Sequence, residues 1–599
     1  MTTGEEAAEG YQNSCAVVRF RAMSCRPERL LALALAGAGA FTLFTMQGPL
    51  EAAAQSRVQP LALGLAPRIS VSPRVQLREV TNSLLGQGLW YSWQAYFMDA
   101  TGRRPDPQAL GMFTELAPGI VGHYPGTGVI THDFQWKNVI GPVAARTDPT
   151  PRESTYDTPL GVRFGPDEYG ALVEEMRTRT GRPLDGSIQV NIISGSADDA
   201  ADWVEYMNAL NDGSNPGGGI DWAARRAANG HPSPYSICYW ELGNEPHFTA
   251  SNIGQLTAWE YIARIRQFVP LMKARDPSIM VMAYVNPFPL GDPGLIGSPA
   301  PDRPAGPAPD GSERDALTWT QAVIRHAGSL LDMLYCHWYG GWNQTVHSYE
   351  YSLTSMYTGL VPLLDRLRRD VDTYAPADAR DRLRRIAIPE WNVYGGWFNP
   401  VGNGTTMVGA LANSRVLHVL MRRPEVLFAE RLALAAPFPD PPVNGDAPGL
   451  LDVRLGFIAI LGRGNGAELL GTPVYEMGRL WAQALRPVSV QTEFAGLPTT
   501  ADGVSIVDVT ALASADGRDL NLVITSGSSV ELPITVVLQD YAPGPRATQL
   551  TVRGANAQDG NSWAARGRVA LREETLTIGG SQFVLRVAPF SVTALLLTR

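Results

Sequence analysis

The chain has 599 residues, of which 45% are hydrophobic and 18% are charged, a composition typical of a globular protein with two or more domains rather than of a disordered scaffold. Its formal net charge of −9 and its pI near 5.5 argue against a polyanionic partner, and no cluster of lysines and arginines follows a phosphate backbone. Nucleic acid is therefore not expected as a ligand.

Residues 1–60 have the pattern of an export signal and its linker. Four arginines precede an apolar run at 30–46, and Ala52, Ala53 and Ala54 follow it, as at a signal-peptidase site. This pattern predicts a secreted, periplasmic or cell-surface protein. The alternative is a retained anchor, because the run is at the lower length limit for crossing a bilayer. An uncleaved segment of this kind is the only membrane contact that we expect.

Between residues 84 and 486, short apolar runs alternate with amphipathic helices. The run at 187–194, for example, leads into a helix whose apolar face carries Ala200, Trp203, Val204 and Met207. Eight runs are predicted as strands, at 88–93, 119–124, 187–194, 236–240, 279–285, 332–338, 385–391 and 432–438. Eight such units predict a closed parallel barrel with its helices outside.

The helical period disappears after residue 487. Alternating or apolar runs separated by Gly, Asp and Pro turns follow, and they predict an antiparallel β-sandwich. Residues 66–83 are expected to add a strand to it from the N-terminal side. The predicted fold class is α/β, a (β/α)8 TIM barrel over residues 84–486 with an appended antiparallel β-sandwich made of residues 66–83 and 487–599.

Two glutamates follow predicted barrel strands. Glu245 lies in the stretch YWELGNEPHF at the end of the fourth strand, and Glu390 ends the seventh in RIAIPE. The carboxyl ends of barrel strands share one mouth, so the two side chains can meet there. Glycoside cleavage requires such a pair, with one carboxyl group protonated and the other ionised. Glu241 is a second candidate for the acid, although a carboxylate inside a strand is more often hydrogen-bonded structure.

Several segments carry a resemblance to a known family: WELGNEP, PEWNVYGG, HYPGTGVITHDFQWKNVIGP at 123–142, and DWVEYMN at 202–208. Together they resemble glycoside hydrolase family 51, the α-L-arabinofuranosidase family of clan A. The resemblance extends over roughly residues 70–490 and implies a barrel followed by a sandwich domain.

The resemblance also implies site roles. Glu245 corresponds to the acid/base, Asn244 to the residue that binds the sugar hydroxyl beside the anomeric carbon, and Glu390 to the nucleophile. Tyr339 corresponds to the tyrosine that orients the nucleophile, with His337 beside it.

The chain departs from the family's second-strand motif at His123 and at Thr127, which replaces the motif's second glycine. His123 stands where the family has an arginine that braces the nucleophile, and a histidine supplies a charge only when it is protonated. The pKa of the nucleophile and the sugar preference are both open at this point. His123 and His337 are candidate substrate contacts, or else histidines of the barrel core. Trp342 and Trp397 are candidate stacking platforms for a sugar ring, or else core residues.

The expected function is that of an exported retaining glycoside hydrolase that cleaves a polysaccharide or oligosaccharide by double displacement. The histidines show no HExxH or CxxC partner spacing, so neither a metal nor an organic cofactor is expected. The alternatives are another clan A activity, such as a β-xylosidase, a β-glucuronidase or an endoglucanase, and a catalytically silent glycan-binding protein. The sugar, the linkage, exo or endo action and the oligomeric state are left open.

Overall fold

The computed structural model describes residues 66–90, 94–99, 101–126, 129–151, 161–247, 255–288, 302–340, 349–393, 405–437, 459–463 and 468–599. The chain enters through strand β1 (Arg68–Glu79) and then builds a closed barrel of eight parallel strands. These strands are β2 (Gly86–Gly88), β3 (Ile120–Tyr124), β4 (Asp185–Val190), β5 (Tyr239–Leu242), β6 (Met280–Tyr284), β7 (Met333–Gly340), β8 (Ile386–Val393) and β9 (Val426–Leu432). Because β2 pairs with both β3 and β9, the barrel closes.

In the described ranges, helices connect the barrel strands, and a last helix leads into the larger sheet. They are α1 (Pro107–Glu115), α2 (Val129–Asp133), α3 (Pro166–Thr180), α4 (Ala197–Asn208), α5 (Trp222–Ala228), α6 (Ala258–Arg275), α7 (Trp319–Ala327), α8 (Tyr349–Ser355), α9 (Val361–Tyr374), α10 (Arg380–Leu383), α11 (Met407–Leu420) and α12 (Pro473–Ala484). A π-helical turn, Met356–Leu360, joins α8 to α9.

Helices α4 and α6 begin at capping residues and bury apolar side chains, as their sequences predict. The Ser196 hydroxyl accepts the Asp199 amide at 3.1 Å and caps α4, and Thr257 forms a capping box with Glu260 at the start of α6. The apolar face of α6 is buried through Tyr261, Ile262, Ile265 and Phe268. Helix α6 therefore packs one face against the barrel and leaves the other to solvent.

The last strands form two further sheets. A three-stranded sheet contains β10 (Ala435–Pro437), β11 (Ile460–Arg463) and β12 (Glu468–Gly471). The larger sheet has the order β18-β17-β20-β15-β14-β13-β1-β16-β19. Its remaining strands are β13 (Val488–Ala495), β14 (Val507–Ala513), β15 (Asp519–Ser526), β16 (Leu532–Leu538), β17 (Arg546–Arg553), β18 (Arg572–Thr577), β19 (Gln582–Val587) and β20 (Ser591–Thr598). Its pairs are antiparallel except for the parallel pair of β1 and β16.

Helices α11 and α12 join the barrel to the larger sheet. The Ser414 hydroxyl lies 2.6 Å from Thr525 Oγ1, and Trp481 Nε1 donates to the same serine at 2.8 Å. The buried imidazole of His418 contacts Thr510 and Thr525 at 2.7 and 2.9 Å. The two domains thus share a buried polar seam.

The predicted fold class is confirmed: the chain forms a TIM barrel followed by a separate domain made mostly of strands. The predicted bounds of two barrel strands were wrong. The first is Gly86–Gly88, not 88–93, and the eighth is Val426–Leu432, not 432–438. The apolar run predicted as the eighth strand instead contributes Ala435–Pro437 to the three-stranded sheet. The true strand carries two charged residues, Glu430 and Arg431, which lie buried in the barrel and fall outside the predicted strand.

Within the described residues, the helices are all too short or too polar to span a bilayer.

Candidate active site

The two glutamates singled out by the sequence lie at the same end of the barrel, on strands that β6 and β7 separate. Glu390 is in β8 and 7% of its side chain is exposed, whereas Glu245 lies three residues beyond β5 and 15% of its side chain is exposed. Glu245 has a φ of 43°, in the left-handed region that non-glycine residues rarely adopt. Such strain clusters at functional sites, where the surrounding structure holds it.

His337 lies between the two carboxylates. The pairing of β7 with β8 places His337 opposite Glu390. Its Nδ1 is 2.9 Å from Glu245 Oε1 and 3.4 Å from Glu390 Oε2. The two oxygens therefore lie no farther apart than the sum of these distances, which is below the roughly 6.5 to 9.5 Å separation of inverting glycosidases.

His123 reaches Glu390 from β3. Its Nε2 is 2.8 Å from Glu390 Oε2, and its Nδ1 is 3.0 Å from Glu241 Oε2 on β5. A register shift in β3 and a φ of 57° turn the imidazole into the barrel. Burial alone would lower the pKa of His123, but Glu241 and Glu390 outweigh it and raise the pKa to about 10. His123 is thus a cation at neutral pH.

Tyr339, also on β7, donates its phenolic proton to Glu390 Oε1. Glu390 therefore has donors at both oxygens. Burial alone would raise its pKa, but the charge of His337 and the hydrogen bond and charge of His123 outweigh burial, and the pKa of Glu390 lies below its ordinary value.

Glu245 is tuned in the opposite direction. Burial raises its pKa above the ordinary value, and the hydrogen bond and charge of His337 offset only part of the shift. The nearby Glu390 carboxylate raises it further, because like charges disfavour double ionisation. The arrangement favours a proton on Glu245 and a negative charge on Glu390.

Asn244 precedes Glu245 and is held from two sides. Gln189 Nε2 donates to Asn244 Oδ1 at 2.9 Å, and His132 Nε2 donates to the Asn244 carbonyl at 2.6 Å. The Thr131 hydroxyl donates to Gln189 Oε1 at 2.8 Å. The orientation of the Asn244 amide is therefore fixed before any ligand arrives.

Sequence reasoning missed several of these groups. Ser187 and Gln189 alternate along β4, and the period of two that points every second strand residue into the barrel would have found them. His132 lies inside the motif at 123–142, and Glu430 lies on the strand that was wrongly bounded. Glu241 was weighed as the acid, but its carboxylate is fully buried below the mouth and contacts His123 and Ser187.

The candidate stacking residues Trp342 and Trp397 lie outside the described residues. Two groups of donor atoms lie within 4.8 Å of one another, one from His123, His337 and Glu390, the other from His123, Glu241 and Glu430. The direct contacts within these groups include distances of 2.8 and 3.0 Å, which are the lengths of hydrogen bonds. Hydrogen bonding therefore accounts for the spacing of His123 from Glu390 and from Glu241.

The chain is similar to known arabinofuranosidases. Residues 113–294 match the family model of the alpha-L-arabinofuranosidase 1 domain. A probable alpha-L-arabinofuranosidase C of Aspergillus fumigatus is 30% identical over 184 residues, which are 31% of this chain and 32% of that protein. The intracellular exo-alpha-(1->5)-L-arabinofuranosidase 1 of Bacillus subtilis is 26% identical over 338 residues, 55% of this chain and 58% of that protein.

The match to the first of these relatives thus spans about a third of its length. Among solved structures, the alpha-L-arabinofuranosidase of Thermotoga maritima in complex with arabinose superposes with a TM-score of 0.70 at 20% identity, covering 89% of this chain and all of that chain. At this identity the superposition supports the fold. The resemblance to the family 51 α-L-arabinofuranosidases of clan A that the motifs indicate is confirmed.

Proposed function

We propose that this protein is a retaining, α-L-arabinofuranosidase-like glycoside hydrolase. The observation that carries the proposal is the position of His337 Nδ1, 2.9 Å from Glu245 Oε1 and 3.4 Å from Glu390 Oε2. These contacts limit the distance between the two oxygens to less than the separation of the carboxyl groups in inverting enzymes, which supports a double displacement, for which about 5 Å is typical.

In the first step, a carboxylate oxygen of Glu390 attacks the anomeric carbon and forms a covalent bond to the sugar. The bond to the leaving oxygen breaks as Glu245 transfers its proton to that oxygen. In the second step, Glu245, now ionised, takes a proton from a water molecule. That water attacks the anomeric carbon and releases the sugar, which restores the Glu390 carboxylate and the Glu245 proton.

The directions of the pKa shifts support this division of roles. The acid must hold a proton at working pH, and the pKa of Glu245 is raised; the nucleophile must be ionised, and the pKa of Glu390 is lowered. The cationic His123 also supplies, beside Glu390, the charge that the family's arginine is expected to supply. The replacement therefore preserves the electrostatics at the nucleophile.

We take the substrate class from the relatives. Both curated proteins described above are named as α-L-arabinofuranosidases, and one of them as an exo-acting enzyme on α-(1→5) linkages. The preorganised amide of Asn244 beside Glu245 suits the sugar hydroxyl next to the anomeric carbon. We therefore propose a terminal α-L-arabinofuranoside as the substrate.

Purified protein tests the proposal with a panel of aryl glycosides. The expected result is turnover of the α-L-arabinofuranoside, reduced at least about a thousandfold by Glu390→Gln. Glu531→Gln is the matched control, since Glu531 pairs with Arg586 on the exposed face of the larger sheet and should leave turnover unchanged.

Added methanol then tests retention. A retaining enzyme transfers the sugar to methanol and gives a methyl glycoside with the anomeric configuration of the substrate, whereas an inverting enzyme gives no such product with that configuration. Turnover of the xyloside, the glucuronide or a glucan instead would replace the substrate class. Glycan binding without turnover on any substrate would refute the hydrolase.

Export is a separate part of the proposal, supported by the arginines and the apolar run at 30–46. Mass spectrometry of the protein recovered outside the cytoplasm should find an N-terminus beyond residue 46. Recovery of the intact chain with the membranes would favour an anchor, and recovery from the cytoplasm would refute export.

A further inference from the structure

A line of contacts runs from the nucleophile into the interior of the barrel. Glu390 Oε2 is 2.8 Å from His123 Nε2, His123 Nδ1 is 3.0 Å from Glu241 Oε2, and Ser187 Oγ is 2.9 Å from Glu241 Oε1. We propose that Glu241 is a positioning residue that keeps both ring nitrogens of His123 protonated, so that His123 directs the proton shared by the catalytic pair onto Glu245. This inference rests on the proposed function.

The groups that face His123 among the described residues come from the barrel strands. They are Ser187 and Gln189 on β4, Glu241 on β5, His337 on β7, Glu390 on β8 and Glu430 on β9, together with Glu245 beyond β5. The two direct ionic partners are both carboxylates, one on each ring nitrogen. An imidazole between two carboxylates satisfies both only by donating from both nitrogens, which is the cationic form.

The negative charge that faces His123 Nδ1 lies on Glu241 rather than on Glu430. Ser187 Oγ accepts the His123 backbone amide at 2.6 Å and has a single proton to donate. It lies 2.9 Å from Glu241 Oε1 and 3.1 Å from Glu430 Oε2. Burial and the charge of Glu241 hold the pKa of Glu430 well above its ordinary value, so Glu241 is the more readily ionised of the two carboxyl groups and lies closer to Ser187.

Ser187 therefore donates to Glu241, and Glu241 accepts at both of its oxygens, from Ser187 and from His123. An ionised carboxylate is the form that accepts at both oxygens. Glu241 thus provides a buried negative charge at 3.0 Å from His123, without contacting the mouth where a sugar would lie.

His123 has a second protonation state, in which its Nε2 carries no proton. Gln189 Nε2 lies 3.1 Å from His123 Nε2 and can donate to this ring nitrogen only in that state. Glu241 decides between the two states. With Glu241 ionised, His123 is a cation and donates to Glu390. Without that charge, a neutral imidazole can accept from Gln189 and leave one oxygen of Glu390 without a charged donor.

Glu245 and Glu390 form a coupled pair, in which one proton can reside on either group. A cation against Glu390 favours the state with the proton on Glu245, which is the productive one. An opposite charge at hydrogen-bond distance typically changes a carboxyl pKa by about 1 to 3 units, so loss of the cation should lower the productive population about tenfold or more.

The experiment combines NMR of histidine-labelled protein with pH profiles of kcat/KM. The signals of His123 are assigned by their loss in His123→Arg. In the wild type, we expect His123 to remain doubly protonated to at least about pH 9, and in Glu241→Gln to deprotonate at least about 2 pH units lower.

The kinetic expectation is specific to a positioning role. In Glu241→Gln, kcat/KM should stay near the wild-type value at acidic pH and fall about tenfold or more as His123 deprotonates. The descending limb, which in the wild type reflects loss of the Glu245 proton, should then follow His123 and lie at lower pH. The double variant His123→Arg/Glu241→Gln should return that limb to its wild-type position, because a guanidinium group does not deprotonate in this range. Glu531→Gln is the control.

A His123 that titrates near its ordinary pKa in the wild type would overturn the inference without any variant being needed. A Glu241→Gln profile lowered equally at every pH, with its limb unmoved, would also overturn it and assign Glu241 a structural role only. Absence of turnover by the wild type would instead overturn the proposed function, and the NMR comparison still decides whether Glu241 sets the protonation of His123.

Discussion

Replacing Glu245 by alanine should slow the cleavage of poor leaving groups far more than that of good ones. Glu245 is the group whose burial keeps it protonated next to an ionised Glu390, so its removal withdraws proton donation but leaves the nucleophile in place. General acid catalysis contributes about 10² to 10⁴-fold, or roughly 3 to 5 kcal/mol of barrier. We expect that full loss for alkyl arabinofuranosides and little loss in the first step for activated aryl arabinofuranosides.

The second step offers an independent measurement. Glu245→Ala also lacks the base that activates water, and it opens space next to the covalent sugar where a small anion fits. Azide should therefore restore turnover of an activated substrate and give a glycosyl azide with the configuration of the substrate. In the matched variant Glu390→Ala, azide takes the place of the nucleophile, and the glycosyl azide should have the opposite configuration.

The pH profile provides the third readout. The descending limb of the wild-type profile should reflect loss of the Glu245 proton, and since burial raises that pKa, the limb should lie above the range of an ordinary glutamate. Glu245→Ala should lack this limb. A uniform loss across leaving groups, without azide rescue and with the limb retained, would refute the assignment of Glu245 as the acid/base.

Further predictions concern single contacts. Tyr339→Phe removes a donor to Glu390 and should lower kcat/KM about tenfold while moving the ascending limb to higher pH, and a limb that does not move would contradict this. Glu168→Gln breaks a buried pair in which both oxygens accept from Arg146, at 2.8 and 2.9 Å, and should destabilise the fold by about 3 kcal/mol or more, seen as a lower urea midpoint. His418 is buried with its pKa well below the ordinary value, so its contribution to stability is present above about pH 6.5 and is lost as the pH falls. The stability difference between the wild type and His418→Gln should therefore shrink by about 1.4 kcal/mol per pH unit below that point, as unfolding at several pH values would measure, and a constant difference would contradict it.

The barrel could be predicted from the sequence because apolar residues recur with one period in its strands and with another in its helices. The run at 279–285 and the strand Met280–Tyr284 nearly coincide, as do 385–391 and Ile386–Val393. The eighth strand was misplaced because hydrophobicity was used to find it. A barrel interior that serves a site accepts buried charge, and Val426–Leu432 contains Glu430, whose partner Ser187 lies on a strand distant in sequence.

The site was predictable to the extent that its groups stand at strand ends. Glu245 and Glu390 were identified because parallel strands bring their carboxyl ends to one mouth. Their separation was not predictable, since it depends on His337 between them and on the register that sets His337 opposite Glu390. The roles of Trp342 and Trp397 stay predictions, because both lie outside the described residues.

The replacement of the family's arginine by His123 left the pKa of the nucleophile open in the sequence, and the residue that keeps a positive charge at this position lies on a different strand. An arginine is a cation in any surroundings, whereas a fully buried histidine would be neutral, because burial lowers its pKa. Glu241, on β5 beside β4, reverses that outcome at 3.0 Å. A buried acid in the interior of a barrel is costly unless it is paired. Glu241 is paired with His123 and Ser187. His123 therefore keeps, next to the nucleophile, the positive charge that burial alone would have removed.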